Sequence, residues 1–165
     1  GPAIAAIDKR MRRLYVSAFQ STIFNDILAR RIDTLDRVFV GDMAQKEDTG
    51  GIFTVEDPSI DQPRTDAFEI SPTGPILGYR GGLAEGDPGQ VEREVIASHE
   101  ITQDEFRHVG SLSAKGGRRA LRFPLKEPHL SAGKDEQGFY LEITFSAPSG
   151  GYATAVLREI MKTEN

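Results

Sequence analysis

The sequence predicts an α+β fold, a mixed domain in which helices pack on short antiparallel strands, and three observations carry that prediction. Near the start, apolar residues recur at helical spacing: Ile7, Met11, Leu14 and Ala18 on one stripe, Tyr15, Phe19, Ile23 and Ile27 on another. Further along, short alternating segments rich in β-branched and aromatic residues surround glycine-rich turns. The elements follow the order helix, strands, helices, strands, helix, which lacks the regular strand-helix alternation of a doubly wound sheet.

Residues 3–32 read as helical. "SAFQ" at 17–20 matches a capping box, with Ser17 reaching forward and Gln20 reaching back, so the helix is expected to break near Ser17 and restart from about Ala18 to Ile32. That second helix is apolar on most faces, which predicts burial. "RVFVGDMAQKEDTGGIFTVED" (37–57) reads as a strand, a turn at Asp48-Thr49-Gly50-Gly51, and a second strand through Ile52, Phe53 and Val55, together a hairpin. "DAFEISPTGPILGYRGG" (66–82) reads as a short strand followed by a Pro/Gly run too rigid and too broken for regular structure, hence a structured loop. Asp87 as cap and Pro88 at the first helical position open a helix to about His99. "TQDE" (102–105) is a second capping box, starting a short helix that ends by Gly110. "RRALRFPL" (118–125) and "FYLEITFS" (139–146) alternate as strands, and a helix from about Tyr152 to Lys162 closes the chain. No repeat, low-complexity tract or obvious linker interrupts this order.

With 165 residues the chain can bury a core of ordinary domain size without staples. It has no cysteine, which removes disulfides, thiolate catalysis and cysteine-ligated metals, and is compatible with a reducing cytoplasm. No apolar run approaches the roughly 18 residues of a membrane span, and the charges at the start follow the apolar stretch, the reverse of a secretory signal. A soluble cytoplasmic protein is expected. Gly1-Pro2 in place of an initiating Met reads as the remnant of a cleaved tag.

The formal net charge of −5 argues against indiscriminate nucleic-acid binding, yet two basic clusters stand out. One is Lys9, Arg10, Arg12 and Arg13; the other is Lys115, Arg118, Arg119, Arg122 and Lys126, broken by Gly116 and Gly117 and free of acids before Glu127. Acidic residues gather instead at 47–69 and 85–105. The second cluster suits phosphates, and equally suits a solvated basic turn.

His99, His108 and His129 show no metal-ligand spacing and no paired nucleophile, which favours surface or capping roles and no metal site. There is no Gly-x-Ser-x-Gly elbow, and "GPILGYRGG" lacks the Gly-Lys-Ser/Thr of a phosphate-binding loop. Asn25, in the middle of the apolar helix, must find partners or cost roughly 1–3 kcal/mol; a hydrogen bond to a neighbouring loop is the plainer role, contact with a substrate the sharper one. "PSGGYATAVLREIMK" (148–162) sets Gly150 and Gly151 before a helix N-terminus, which can hold an anion or serve as an ordinary strand-to-helix turn.

Four stretches taken together resemble the tRNA pseudouridine synthase D (TruD) family in order and approximate spacing over nearly the whole chain: "LYVSAFQSTIFNDILARRI" (14–32), "VGDMA" (40–44), "ISPTGPILGYR" (70–80), and "GGRRALRF" with "YLEITFSAPSGGYATAVLREI" (116–160). The resemblance implies a cytoplasmic isomerase that converts a uridine of tRNA, uridine 13 in the D-arm region, to pseudouridine with no metal or organic cofactor. Such chemistry needs a nucleophilic aspartate, a basic partner and an aromatic residue stacked on the flipped base. The family's Gly-x-Lys-Asp segment and its later Asn-Tyr-Phe-Gly and Gln-Arg-Phe-Gly segments are not in this sequence. Its single Lys-Asp pair, Lys134-Asp135, lies in the polar turn "AGKDEQG", far downstream of the family's position.

By resemblance, then, 3–36 is a helical part of the catalytic core, 37–137 is the family's inserted domain and a tRNA-binding module, and 138–165 is the returning strand and helix of the core. No catalytic residue is expected in this chain, with Asn25 and Arg158 as candidate neighbours of the active cleft. Arg158 also has the plain reading of a solvating residue in a helix's last turns. The first hypothesis is a tRNA-gripping portion of the enzyme, inactive alone, in which Lys115, Arg118, Arg119, Arg122 and Lys126, together with Lys9–Arg13, contact phosphates. The alternative is a non-enzymatic RNA-binding or protein-interaction module. Without its neighbours the apolar helix 18–32 predicts self-association, a homodimer or swapped pair.

Overall fold

The first predicted helix forms as one rod rather than two. The computed structural model describes residues 7–107, 114–148, 151 and 153–162. In it α1 (Lys9–Arg30) runs unbroken past Ser17, capped at its start by Asp8, whose carboxylate accepts the Arg10 N–H at 2.9 Å. Gln20, the residue the expected box needs, instead donates through Nε2 to the Leu77 carbonyl at 2.6 Å, a tertiary contact that outcompetes a local cap. Burial is also narrower than the apolar pattern predicts. Gln20, Ile23, Phe24 and Ile27 are buried, whereas Leu14 and Tyr15 are 57% and 56% exposed.

The predicted hairpin forms as β1 (Met43–Lys46) and β2 (Ile52–Thr54), antiparallel, with Ala44 opposite Phe53. Residues 37–42 do not extend β1. Here the chain winds around Asp42, whose buried carboxylate accepts the Phe39 N–H at 2.9 Å and both Nη atoms of Arg31 at 2.9 and 3.1 Å. A helix the sequence reading missed, α2 (Pro58–Asp66), follows. Asp57 caps it by accepting the Ser59 N–H and hydroxyl at 2.9 and 2.7 Å, and Pro58 enters at its start. Pro63 inside the stretch argues against a helix; its place here forgoes one internal bond.

The Pro/Gly run is the other reversal, since β3 (Ile70–Ile76) is a strand through both prolines. Its ladder changes partner partway: residues 70–72 pair with β1, and 73–76 pair with β4 (Gly117–Ala120). No stretch of β3 is laddered on both sides in these registers, so each proline is tolerated as on an edge strand. The antiparallel sheet has the order β2-β1-β3-β4.

Helix α3 (Gly86–Ser98) starts slightly earlier than predicted; Glu85 holds the cap position without a side-chain bond, and Asp87 lies in the first turn. The second capping box yields a 3₁₀ turn, Gln103–Arg107, rather than an α-helix. Thr102 donates its N–H and hydroxyl to Glu105 Oε2 at 2.7 and 2.9 Å. The predicted end of this element near Gly110 falls outside the described residues.

Chain contacts divide the protein into two compact units, Gly1–Arg122 and Phe123–Asn165. In the first, Ile23 and Ile27 of α1 pack with Leu77, Val95, Ile96 and Phe106, while Val38, Ala44, Val55 and Ile70 form a smaller cluster. Each buried Val, Leu, Ile or Phe side chain among these contributes about 1.5–3 kcal/mol by leaving water. The second unit holds the antiparallel hairpin of β5 (Lys126–Asp135) and β6 (Gly138–Ser146), and α4 (Ala153–Met161). Strand β5 was not expected. Its Lys134 and Asp135, placed in a polar turn by sequence, end the strand, and the turn itself is Glu136-Gln137. None of the described residues of this unit is buried. Among the described residues no helix is long and apolar enough to cross a membrane.

Candidate nucleic-acid interface

Five cations of the second basic cluster share a stretch of sequence but not an environment. Arg118, on β4, is a structural residue, its side chain and that of Glu92 on α3 each 4% exposed. A guanidinium has five N–H donors. Here Nε donates to Thr73 Oγ1 (2.9 Å), Nη1 to Glu92 Oε2 (3.1 Å) and Gly82 O (3.3 Å), and Nη2 to Glu92 Oε1 (2.7 Å) and Thr73 O (2.7 Å). Glu92 also accepts the Ala84 N–H at 2.8 Å. The fork thereby ties β4, β3, the loop at 82–84 and α3 together, and no donor remains for a phosphate.

Arg122 is engaged in part, since its buried Nε has no hydrogen-bond partner among the described residues. Its guanidinium lies 4.1 Å from the Phe68 ring centre and donates to the Thr65 carbonyl in the last turn of α2, where a cation offsets the helix dipole. Burial pushes its pKa down from the ordinary arginine value, with Asp36 and Asp66 opposing the shift. Arg119 projects from β4 as an exposed residue, its guanidinium 5.4 Å from the Phe24 ring centre. Lys115 is exposed in the first unit and Lys126 at the start of β5 in the second. Of the cluster, Lys115, Arg119 and Lys126 keep exposed cationic side chains.

Lys9, Arg10 and Arg13 are exposed on the first turns of α1, with Arg12 half-buried among them. Asn25 is exposed on α1, so its amide meets water and the expected desolvation does not arise. Arg158 is exposed on α4 in the second unit. Gly151 precedes α4, whereas Gly150, like His108, lies outside the described residues. His99 has a structural place: Nε2 sits 2.7 Å from Asp26 Oδ2 and the ring meets Phe19 edge-on. His129 is exposed on β5.

Nucleophilic chemistry of the expected kind would need an aspartate with a basic partner, in the Gly-x-Lys-Asp segment that this sequence lacks. The three buried acids among the described residues are all paired: Asp42 with Arg31, Asp61 with Arg64, and Glu92 with Arg118. No group of three or more metal-ligating side chains converges among the described residues. What the fold presents is exposed cations on a tied frame, and it includes two that sequence reading overlooked, Arg80 and Arg107, both beside Tyr79. "GYR" carried a faint signal for the first; Arg107 carried none, because only the fold brings it there.

Comparison with known proteins agrees over the length of the chain. The family model of tRNA pseudouridine synthase D (TruD) matches residues 1–160. A protein of Geobacter metallireducens named tRNA pseudouridine synthase D is 46% identical over 160 residues, which is 97% of this chain and 39% of that protein. Its namesake from Syntrophotalea carbinolica is 41% identical over 162 residues, 98% of this chain and 40% of its own. A crystal structure from Methanosarcina mazei, assigned there to tRNA pseudouridine synthase D, matches with a TM-score of 0.82 at 28% identity, covering 96% of this chain and 40% of the other. The chain thus spans about 40% of the length of the relatives it matches.

Proposed function

Because this chain belongs to the tRNA pseudouridine synthase D family, we propose that it forms part of an enzyme that isomerises uridine to pseudouridine in tRNA, in the cytoplasm. The observation that carries this reading is the family match across residues 1–160. In this proposal 3–36 belongs to the catalytic core, 37–137 is the inserted domain, and 138–165 returns to the core. Lys115, Arg119 and Lys126 meet RNA phosphates, while Asn25 and Arg158, both exposed, border the active cleft.

The chain alone is expected to be inactive. Isomerisation breaks the bond from ribose to uracil nitrogen and remakes it to carbon, which requires a nucleophile fixed against the base. The Gly-x-Lys-Asp segment in which the resemblance places that nucleophile is not in this sequence. Tritium release from uracil C5 of a labelled tRNA transcript tests this, with the Geobacter metallireducens relative as the active comparison. The expected result is release by the relative and none above background by the chain; turnover by the chain overturns the inactivity, and none by either overturns the family activity proposed for it.

The isolated chain is also proposed to self-associate. The apolar surface that α1 exposes is not its buried part but its outer face, Met11, Leu14 and Tyr15. Sedimentation equilibrium should show a mass above the monomer that falls back when Leu14 and Tyr15 are replaced by Ser; a strict monomer at high concentration removes the proposal.

A further inference from the structure

Two backbone segments of the first unit cross where neither carries a side chain. A Cβ on Gly78 would lie 2.3 Å from the Gly116 nitrogen, and one on Gly116, at φ +76°, would lie 2.8 Å from the Gly78 Cα and 2.7 Å from the Ile76 carbonyl oxygen. Only glycine allows this approach. Just beyond the crossing, Tyr79 N–H donates to Ala114 O at 3.1 Å and Arg80 N–H to Lys115 O at 3.0 Å. Arg80 and Lys115 are therefore held as neighbours by main-chain bonds.

A third cation joins from the 3₁₀ turn. Phe106 anchors that turn in the core, and Gln103 Nε2 donates to Gly81 O at 3.2 Å. Arg107 thereby comes to 5.8 Å from the centre of the Tyr79 ring, whose other guanidinium neighbour, Arg80, lies at 5.7 Å. Tyr79 itself is half-buried against the core, so the ring they share is fixed.

Charge pairing separates these arginines from the structural ones. Arg31 and Arg118 each grip a buried acid. Arg107 has an ion pair at 3.5 Å with Asp104, in which the two side chains are 57% and 87% exposed, an arrangement that contributes at most about 1 kcal/mol. Arg80 and Lys115 have no ion pair among the described residues, in a chain with 25 acidic residues available to supply one. A guanidinium resting on a ring is restricted in orientation and partly desolvated, which lowers the entropy lost when its N–H edge takes an oxyanion.

We infer that Tyr79, Arg80, Arg107 and Lys115 form a platform that binds the phosphate backbone of RNA; this rests on the reading of the chain as part of a tRNA-modifying enzyme. The three cations come from separate segments that the Gly78–Gly116 crossing and the Phe106 anchor make rigid, as a backbone contact that positions a large nucleic acid requires. Affinity through such contacts falls as salt rises, because each neutralised phosphate releases counterions.

The test is an anisotropy titration of a fluorescein-labelled, unmodified tRNA transcript with this chain over a series of salt concentrations. Wild type should bind, more weakly as salt rises. Arg80→Gln with Arg107→Gln should bind about tenfold or more weakly at low salt, and its plot of log affinity against log salt should be shallower by between about one and two. Lys115→Gln, an exposed change that leaves the crossing intact, should shift the slope by somewhat less than one; it decides the matter if circular dichroism shows the double variant unfolded. Wild-type binding with unchanged slopes in folded variants overturns the platform and leaves the tRNA reading standing. No tRNA binding by wild type at low salt removes both. Displacement of the transcript by polyglutamate at equal charge concentration overturns the platform in favour of an acidic protein partner.

Discussion

The two units of the chain use the same local rules and reach different ends. In Gly1–Arg122, alternation and helical periodicity are answered by partners: Ile23, Ile70, Leu77 and Val55 are at most 1% exposed, and the buried charges form complete pairs. In Phe123–Asn165 the hairpin is regular over seven residue pairs, from His129 opposite Thr144 to Asp135 opposite Gly138, yet Leu130, Phe139 and Leu141 are 64%, 87% and 74% exposed, and α4 leaves Leu157, Ile160 and Met161 uncovered. Regular hydrogen bonding is thus not sufficient for a core. A two-stranded hairpin is marginal in water until something covers one face.

That contrast can be broken at its strongest point first. Glu92→Ala strips Arg118 of its acid and leaves a buried cation, which should lower the stability of the first unit by about 3–5 kcal/mol in urea denaturation. Phe139→Ser on the exposed hairpin face should change stability by no more than about 0.5 kcal/mol, although far more apolar area is altered. A large loss from Phe139→Ser, or a small one from Glu92→Ala, would erase the distinction between the units.

The smallest effect is an acid sensitivity carried by two carboxylates of the first unit. The Ser59 hydroxyl and then its N–H hold the Asp57 carboxyl below the usual aspartate range, and the Thr102 N–H and then its hydroxyl do the same for Glu105. A carboxylate depressed in the folded state adds stability above its unfolded pKa of about 4, and that contribution is lost as pH falls through the lower folded value. Melting curves from pH 7 down to 3 should therefore show a shallower acid decline for Asp57→Asn combined with Glu105→Gln, since asparagine still caps α2 without titrating. Identical slopes for wild type and the double variant would remove the two carboxylates from the acid response.

How much of this was legible depends on the range of the interaction. The hairpin at 43–54 was readable because its turn, Asp48-Thr49-Gly50-Gly51, is local. Asp57-Pro58 carried the same kind of start signal that located α3, but Pro63 masked it. β3 was unreadable because whether Pro72 and Pro75 are tolerated depends on which neighbour ladders each half of the strand. Arg118 looked like a phosphate ligand because its acid, Glu92, lies 26 residues away on another element. A run of arginines announces charge, and only the fold says which of them are spent.

The crossing of Gly78 and Gly116 also limits how this protein can drift. A steric clash elsewhere in a core is often rescued by shrinking the neighbour, but here both neighbours are already as small as a residue can be. A lesion at either position has no compensating partner, so the two glycines must persist together, and with them the spacing of whatever the flanking residues present to solvent.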